Sequence, residues 1–279
     1  MEFFVHIPKT AGSTLRHILD AQYGKSNVIL FYNQRSQSLL DNLGPYVAAR
    51  PHRAMIGHFP YGLHERITGN SRYITFLRDP VALVASTYDE ILKAHGREDY
   101  MRDVVENRLP LEEAIARYRY DFLNIQSTYL SQHFPDGDRP ETAEDANAIK
   151  SLLGSGFDFV GLVERFDESV LMLGRILGWR PFLYRRQNVS GPRAPMSAPL
   201  RAAIDGLTAC DRALYDWAAA RFDAVAAAQP PEFFLALAEL KSALAEMSAN
   251  PPANTAEVLI EGIELPAVAE YLATGSAAS

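Results

Sequence analysis

The first fifteen residues constrain the fold more than any later stretch. Phe3, Phe4, Val5 and Ile7 form a short apolar run that Pro8 closes, which reads as a buried strand. Lys9-Thr10-Ala11-Gly12-Ser13-Thr14 follows, and then Leu15, Ile18 and Leu19 recur at helical spacing until Gly24 offers a stop. The unit is strand, glycine loop, helix. A helix that begins straight after such a loop turns several backbone N–H groups and the positive end of its dipole toward one point, and a phosphate group fits there. Ser13 and Thr14 add hydroxyl donors, and Lys9 adds a charge. The plain alternative is an ordinary strand-to-helix turn with a serine cap. In the Walker A loop of triphosphate-binding proteins the lysine directly follows the second glycine. Here it precedes the glycine by three residues. That places the ammonium on the strand side of the loop, near the bond between a bound phosphate and whatever is attached to it.

The pattern continues as strands alternating with helices, which predicts a parallel sheet in an α/β fold. Strands are expected at Val28–Tyr32, Ala54–Gly57, Arg72–Leu77 and Phe157–Leu162. Helices are expected at Ser38–Ala49, from Pro80 to about residue 94, and at Asp167–Leu177, with a mostly helical stretch over 97–150. Arg180–Pro199 reads as a long loop, and two helical runs follow near Leu200–Ala228 and Pro231–Met247. The expected organisation is one catalytic-type domain over 1–228 and a helical extension with a flexible tail over 229–279, the linker signal being Ser248–Thr255.

Two further clusters carry chemistry. Arg78-Asp79-Pro80 stands at the carboxyl end of an expected strand, where open α/β sheets bind ligands, and Ser86 is two helical turns on. Arginine and serine so placed reach one phosphate, the arginine by a charge-assisted fork. The alternative is a surface arginine paired with a carboxylate and a serine bonded to its own helix. The other cluster is Ile56-Gly57-His58-Phe59-Pro60 with His64 and Glu65. A strand-end histidine suits proton removal at neutral pH, although it can equally be bonded to backbone. His6 reads as a satisfied core histidine inside the first strand. Glu90, one turn after Ser86, is a second base candidate.

At this point the chain resembles the sulfotransferases that use 3′-phosphoadenosine-5′-phosphosulfate (PAPS). FVHIPKTAGSTL looks like their 5′-phosphosulfate loop and RDPVALVASTY like their 3′-phosphate motif. The HIPKTAGST form is most similar to carbohydrate O-sulfotransferases of the heparan 2-O and 6-O type and their bacterial relatives. The resemblance implies a P-loop-like three-layer α/β fold with extra C-terminal helices, and PAPS as co-substrate without a metal. It implies that Lys9 sits by the oxygen bridging phosphate and sulfate. The loop from Thr10 to Thr14, with the backbone of Ala11 and Gly12, would hold the 5′-phosphate, and Arg78 and Ser86 the 3′-phosphate. His58 would be the base. Asn124 and Gln126 belong to a segment, NIQSTYLS, similar to an NxQTxxLS stretch that borders the active site in this group; Ser127 departs from the usual threonine. Arg186, Asn188 and Ser190 lie in a loop resembling one that closes over the adenosine. FDFVGLVERF, from Phe157 to Phe166, is also typical of the group and reads as structural.

Composition bounds the partners. The net charge of −7 argues against nucleic acid, which needs a basic face, and mildly against long polyanionic glycans. The acceptor expected is a hydroxyl-bearing glycan or small molecule. No apolar run approaches the ~20 residues of a membrane helix, and no leader is evident at MEFFVHIPKT. Cys210, the one cysteine, permits no internal disulfide and reads as a core thiol, which with the missing leader suggests a cytoplasmic protein. No HExxH or paired CxxC pattern points to a metal. The helices after Pro230 are candidates for covering the acceptor site or for forming a homodimer. Two rival readings are a P-loop-type kinase, which needs a magnesium carboxylate and a differently placed lysine, and a non-catalytic nucleotide-binding relative.

Overall fold

The computed structural model describes residues 1–32, 37–93, 102–131, 141–186, 195–250, 258–259 and 264–275. The strands are β1 (Glu2–Val5), β2 (Val28–Phe31), β3 (Ala54–Gly57), β4 (Arg72–Leu77), β5 (Phe159–Leu162), β6 (Leu183–Tyr184) and β7 (Val258–Leu259). The helices are α1 (Gly12–Tyr23), α2 (Gln37–Asp41), α3 (Leu43–Ala49), α4 (Pro80–Lys93), α5 (Arg102–Glu106), α6 (Leu111–Arg117), α7 (Arg119–Phe122), α8 (Ile125–Leu130), α9 (Ala143–Ser155), α10 (Phe166–Leu177), α11 (Ala198–Leu207), α12 (Ala209–Ala227), α13 (Pro231–Ala249) and α14 (Pro266–Ala273).

Five parallel strands form the central sheet in the order β2-β3-β1-β4-β5, and the flanking helices make a three-layer α/β fold. β1 and β3 are buried along their whole length, and β4 is buried from Tyr73 onward. Strands covered on both faces must be apolar throughout, which is why they appear as unbroken runs rather than as an alternation. Leu15, Ile18 and Leu19 put one stripe of α1 into this core, each worth about 1.5–3 kcal/mol of burial. Asp79 caps α4 by accepting from the Ala82 amide at 2.9 Å.

Several elements differ from the sequence expectation. The helix expected at Ser38–Ala49 is two helices, α2 and α3, parted at Asn42. The Asn42 side-chain amide donates to the Ser38 carbonyl, the local competition by which asparagine interrupts helices. The run Leu200–Ala228 likewise breaks at Thr208, whose hydroxyl donates to the Ile204 carbonyl. The stretch Arg180–Pro199 contains β6, which pairs antiparallel with β7, and its residues 187–194 lie outside the described ones. Helix α14 was not expected. Val268, Tyr271 and Leu272 of α14 and Phe233, Ala236 and Leu240 of α13 join the same buried cluster as the sheet residues. Cys210 is buried in α12, and its thiol meets the Glu141 carbonyl at 3.4 Å. Among the described residues, no helix is long and apolar enough to cross a membrane.

Candidate active site

Three motifs far apart in sequence meet because three neighbouring strands end together. Val5 of β1 is level with Gly57 of β3 on one side and Thr75 of β4 on the other. Lys9 follows β1, His58 directly follows β3, and Arg78 directly follows β4. All three stand at the carboxyl edge of the central strands, the place where a parallel sheet leaves a crevice for ligands.

The loop after β1 is bent into an unusual shape. Lys9 and Ala11 both have φ near 65°, in the left-handed region that side chains other than glycine rarely occupy. Each costs on the order of 1 kcal/mol or more and persists only where the surroundings enforce it. Thr10, between them, is buried and donates its hydroxyl to the Ile7 carbonyl at 2.8 Å. Ala11 gives α1 no side-chain cap, and the first turn of α1 carries no acidic residue. Gly12 is required by packing: a Cβ there would lie 2.0 Å from the His6 ring. Lys9 pairs with Glu90 of α4 at 2.9 Å. Glu90, a base candidate by sequence, is thus the partner of the loop lysine.

His58 is positioned by its neighbours on the sheet. Its Nδ1 lies 2.7 Å from the His6 carbonyl. A carbonyl only accepts, so Nδ1 carries the proton and Nε2 keeps its lone pair. The ring stacks on His6 at 5.1 Å and is met edge-on by Tyr32 at 5.0 Å and Tyr129 at 5.3 Å. Burial holds its pKa below the usual histidine value. Gly57 permits this turn, because a Cβ would lie 1.9 Å from the Phe31 carbonyl oxygen that the His58 amide bonds. His6 corrects an expectation. It stands just past the end of β1, and neither ring nitrogen has a hydrogen-bond partner. Desolvation pushes it down to about 3, so its ring is neutral beside His58.

Arg78 is fixed by a chain of contacts. Gln126 grips its backbone from both sides, Oε1 accepting from the Arg78 amide and Nε2 donating to its carbonyl, at 2.8 and 2.9 Å. Its guanidinium donates to the Lys9 carbonyl at 2.9 Å, which ties the second motif to the first. Glu164 of the FDFVGLVERF segment accepts from the Asp79 amide, and Arg212 pairs with the Asp79 carboxylate at 2.7 Å. Ser86 is buried on α4. Behind Gln126 two helix starts face each other and exchange caps. Asp211 of α12 accepts from the amides of Gln126 and Ser127 and from the Ser127 hydroxyl, while Asn124 accepts from the amides of Cys210 and Asp211. Burial raises Asp211 to about 6 against the pull of those donors. Replacing Asp211 with alanine should destabilise the protein by about 3 kcal/mol or more, since two buried amides lose their acceptor; urea unfolding checks it, and asparagine should restore part of the loss.

The remaining sequence candidates fall elsewhere. Gln126 is not open to an acceptor, being fully buried with both polar atoms engaged by Arg78, and Asn124 is buried with its Oδ1 held by the amides of α12. His64 meets the hydroxyl of Tyr73, a residue of β4 level with Phe3, toward the opposite end of the sheet. Glu65 is exposed on the same short turn. Arg186 is bonded to Asp167 at the start of α10 at 2.7 Å. Asn188 and Ser190 lie outside the described residues. Sequence reasoning missed Tyr32, Tyr129, Asp211 and Arg212, and only Tyr129, inside NIQSTYLS, carried a signal.

The chain was compared with known proteins. No family model matches it. It is similar to two galactose-3-O-sulfotransferases. The galactose-3-O-sulfotransferase 3 of Bos taurus is 27% identical over 235 residues, covering 76% of this chain and 54% of the relative. That of Homo sapiens is 26% identical over 234 residues with the same coverage. The chain therefore spans about half the length of the curated relatives it matches. The likeness supports a carbohydrate-sulfotransferase kind of protein; the heparan type has no specific support from it.

Proposed function

We propose that this protein transfers a sulfuryl group from PAPS to a hydroxyl of a carbohydrate. The observation that carries the reading is the meeting of Lys9, His58 and Arg78 at the ends of three adjacent strands. The similarity to galactose-3-O-sulfotransferases supports the same class and makes a galactoside the first acceptor to try.

The donor is a dianionic phosphosulfate at one end and a phosphate at the other, so it needs two anion sites with a reacting bond between. The start of α1, free of acidic residues, with the amides of Gly12, Ser13 and Thr14, suits the first. Arg78 with Ser86 suits the second. Thr10 holds the loop shape, and Arg186 remains a proposed nucleotide contact. Lys9 would leave Glu90 to neutralise the oxygen of the departing phosphate. The acceptor oxygen forms its bond to sulfur as the sulfur–oxygen bond to phosphate breaks, and the hydroxyl proton passes to Nε2 of His58. Positioning and charge carry such a transfer, much as in phosphoryl transfer.

Calorimetry with 3′-phosphoadenosine-5′-phosphate (PAP) in the absence of magnesium should show micromolar or tighter binding, and labelled sulfate should pass from PAPS to a galactoside. Binding of ATP only with magnesium, and no binding of PAP, would replace this reading with a kinase-like one.

A further inference from the structure

We infer that the acceptor is at least two linked units long, lies across Tyr120, and presents an uncharged unit to the transfer site; this rests on the sulfuryl-transfer reading above. A cavity of about 420 Å³ is bounded by Lys9 on one side and Tyr129 on another. Tyr129 is the ring set edge-on to His58. The cavity therefore borders the lysine of the donor loop and reaches the wall of the proposed base.

Its lining selects against charge. Ile91, Leu123 and Ile125 make apolar walls, and among the described residues the ionisable groups besides Lys9 and the tyrosines are the carboxylates Glu90 and Asp121. A sulfated or uronic unit would set an anion against two carboxylates in a half-enclosed space, where like charges repel most. An uncharged sugar ring donates its hydroxyls to those carboxylates and lays its C–H face on a tyrosine.

A second cavity of about 460 Å³ adjoins the first and shares Tyr120 and Leu123 with it. Thr128, lining the first, donates its hydroxyl to Glu141, lining the second, at 2.9 Å. Asn147, Arg119 and Lys150 supply donors in the second chamber. Tyr120 stands at the boundary of the two. It is 79% exposed, the most of any large apolar side chain among the described residues, while Phe122 of the same short helix is fully buried. An aromatic ring held in water at the junction of two cavities is a stacking platform for a ligand that spans both.

The test uses the full chain saturated with PAP and three probes: methyl β-galactoside, methyl β-lactoside and methyl β-glucuronide. Titration followed by NMR should find the lactoside bound about tenfold more tightly than the galactoside, and the glucuronide weakest. Tyr120→Ala should bring the lactoside down to the level of the galactoside without changing PAP affinity. Tyr120→Phe should keep the advantage, which separates stacking from a folding defect. Equal affinities for the two neutral probes, an undiminished lactoside advantage in Tyr120→Ala, preference for the glucuronide, or no sugar binding by PAP-loaded protein would each overturn the inference while leaving the donor site standing. Failure to bind PAP would instead overturn the transfer reading, and this inference with it.

Discussion

Alanine at His58 should lower the rate of sulfuryl transfer by about 10²–10⁴-fold and leave PAP affinity unchanged. The geometry motivates both halves. Nε2 has the lone pair because Nδ1 is committed to the His6 carbonyl, and among the described residues that bond and the stacking of the two rings tie His58 to His6 rather than to Lys9–Thr14. The same placement sets the pH dependence. A general base works only when deprotonated, and burial lowers the pKa of His58 from the ordinary value. The rate should therefore rise with pH through a value below about 6.5 and be level above it. Initial rates from pH 4.5 to 8, with donor binding measured beside them, check this. Loss of PAP binding in His58→Ala would make His58 a structural residue instead.

Alanine at Lys9 should cost about 10²–10³-fold in turnover, the usual scale for one preorganised donor aimed at developing charge. Stability should hardly change. Among the described residues the pair lost is the one with Glu90, which is more than half exposed, and pairs of that kind are worth about 0–1 kcal/mol. Turnover and melting temperature measured on the same preparation separate the two effects. Near-normal turnover would remove Lys9 from the reaction; a large drop in melting temperature would show that the loop shape, not the ammonium, depends on it.

What could be read from the sequence was what local chemistry dictates. The apolar runs marked the strands of the central sheet, and Pro80 with Asp79 marked the start of α4, because burial and capping act over a few residues. Helix interruptions at Asn42 and Thr208 were hidden, since a single polar side chain turning onto its own backbone leaves the apolar period intact. The site divides the same way. Lys9, His58 and Arg78 could be proposed because each closes a strand. His64 and Glu65 were grouped with His58 by closeness in sequence, yet the chain turns back between them and carries His64 to Tyr73. Gln126 reads as a polar residue awaiting a ligand until its amide is seen engaged by the Arg78 backbone, a contact across 48 residues. Asp211 was invisible for the same reason, being 84 and 85 residues from the amides it accepts.

The convergence of three strand ends has a kinetic consequence. Lys9, His58 and Arg78 are brought together only by strands that pair across long stretches of chain, and parallel pairing of that sort forms late because loop closure must come first. A growing or truncated chain that stops short of β4 has the donor loop but lacks the partner that Arg78 and its guanidinium bond to the Lys9 carbonyl provide. On the sulfuryl-transfer reading proposed above, nucleotide capture would therefore report that the middle of the sheet has closed, and a chain arrested before that point would be inert rather than weakly active.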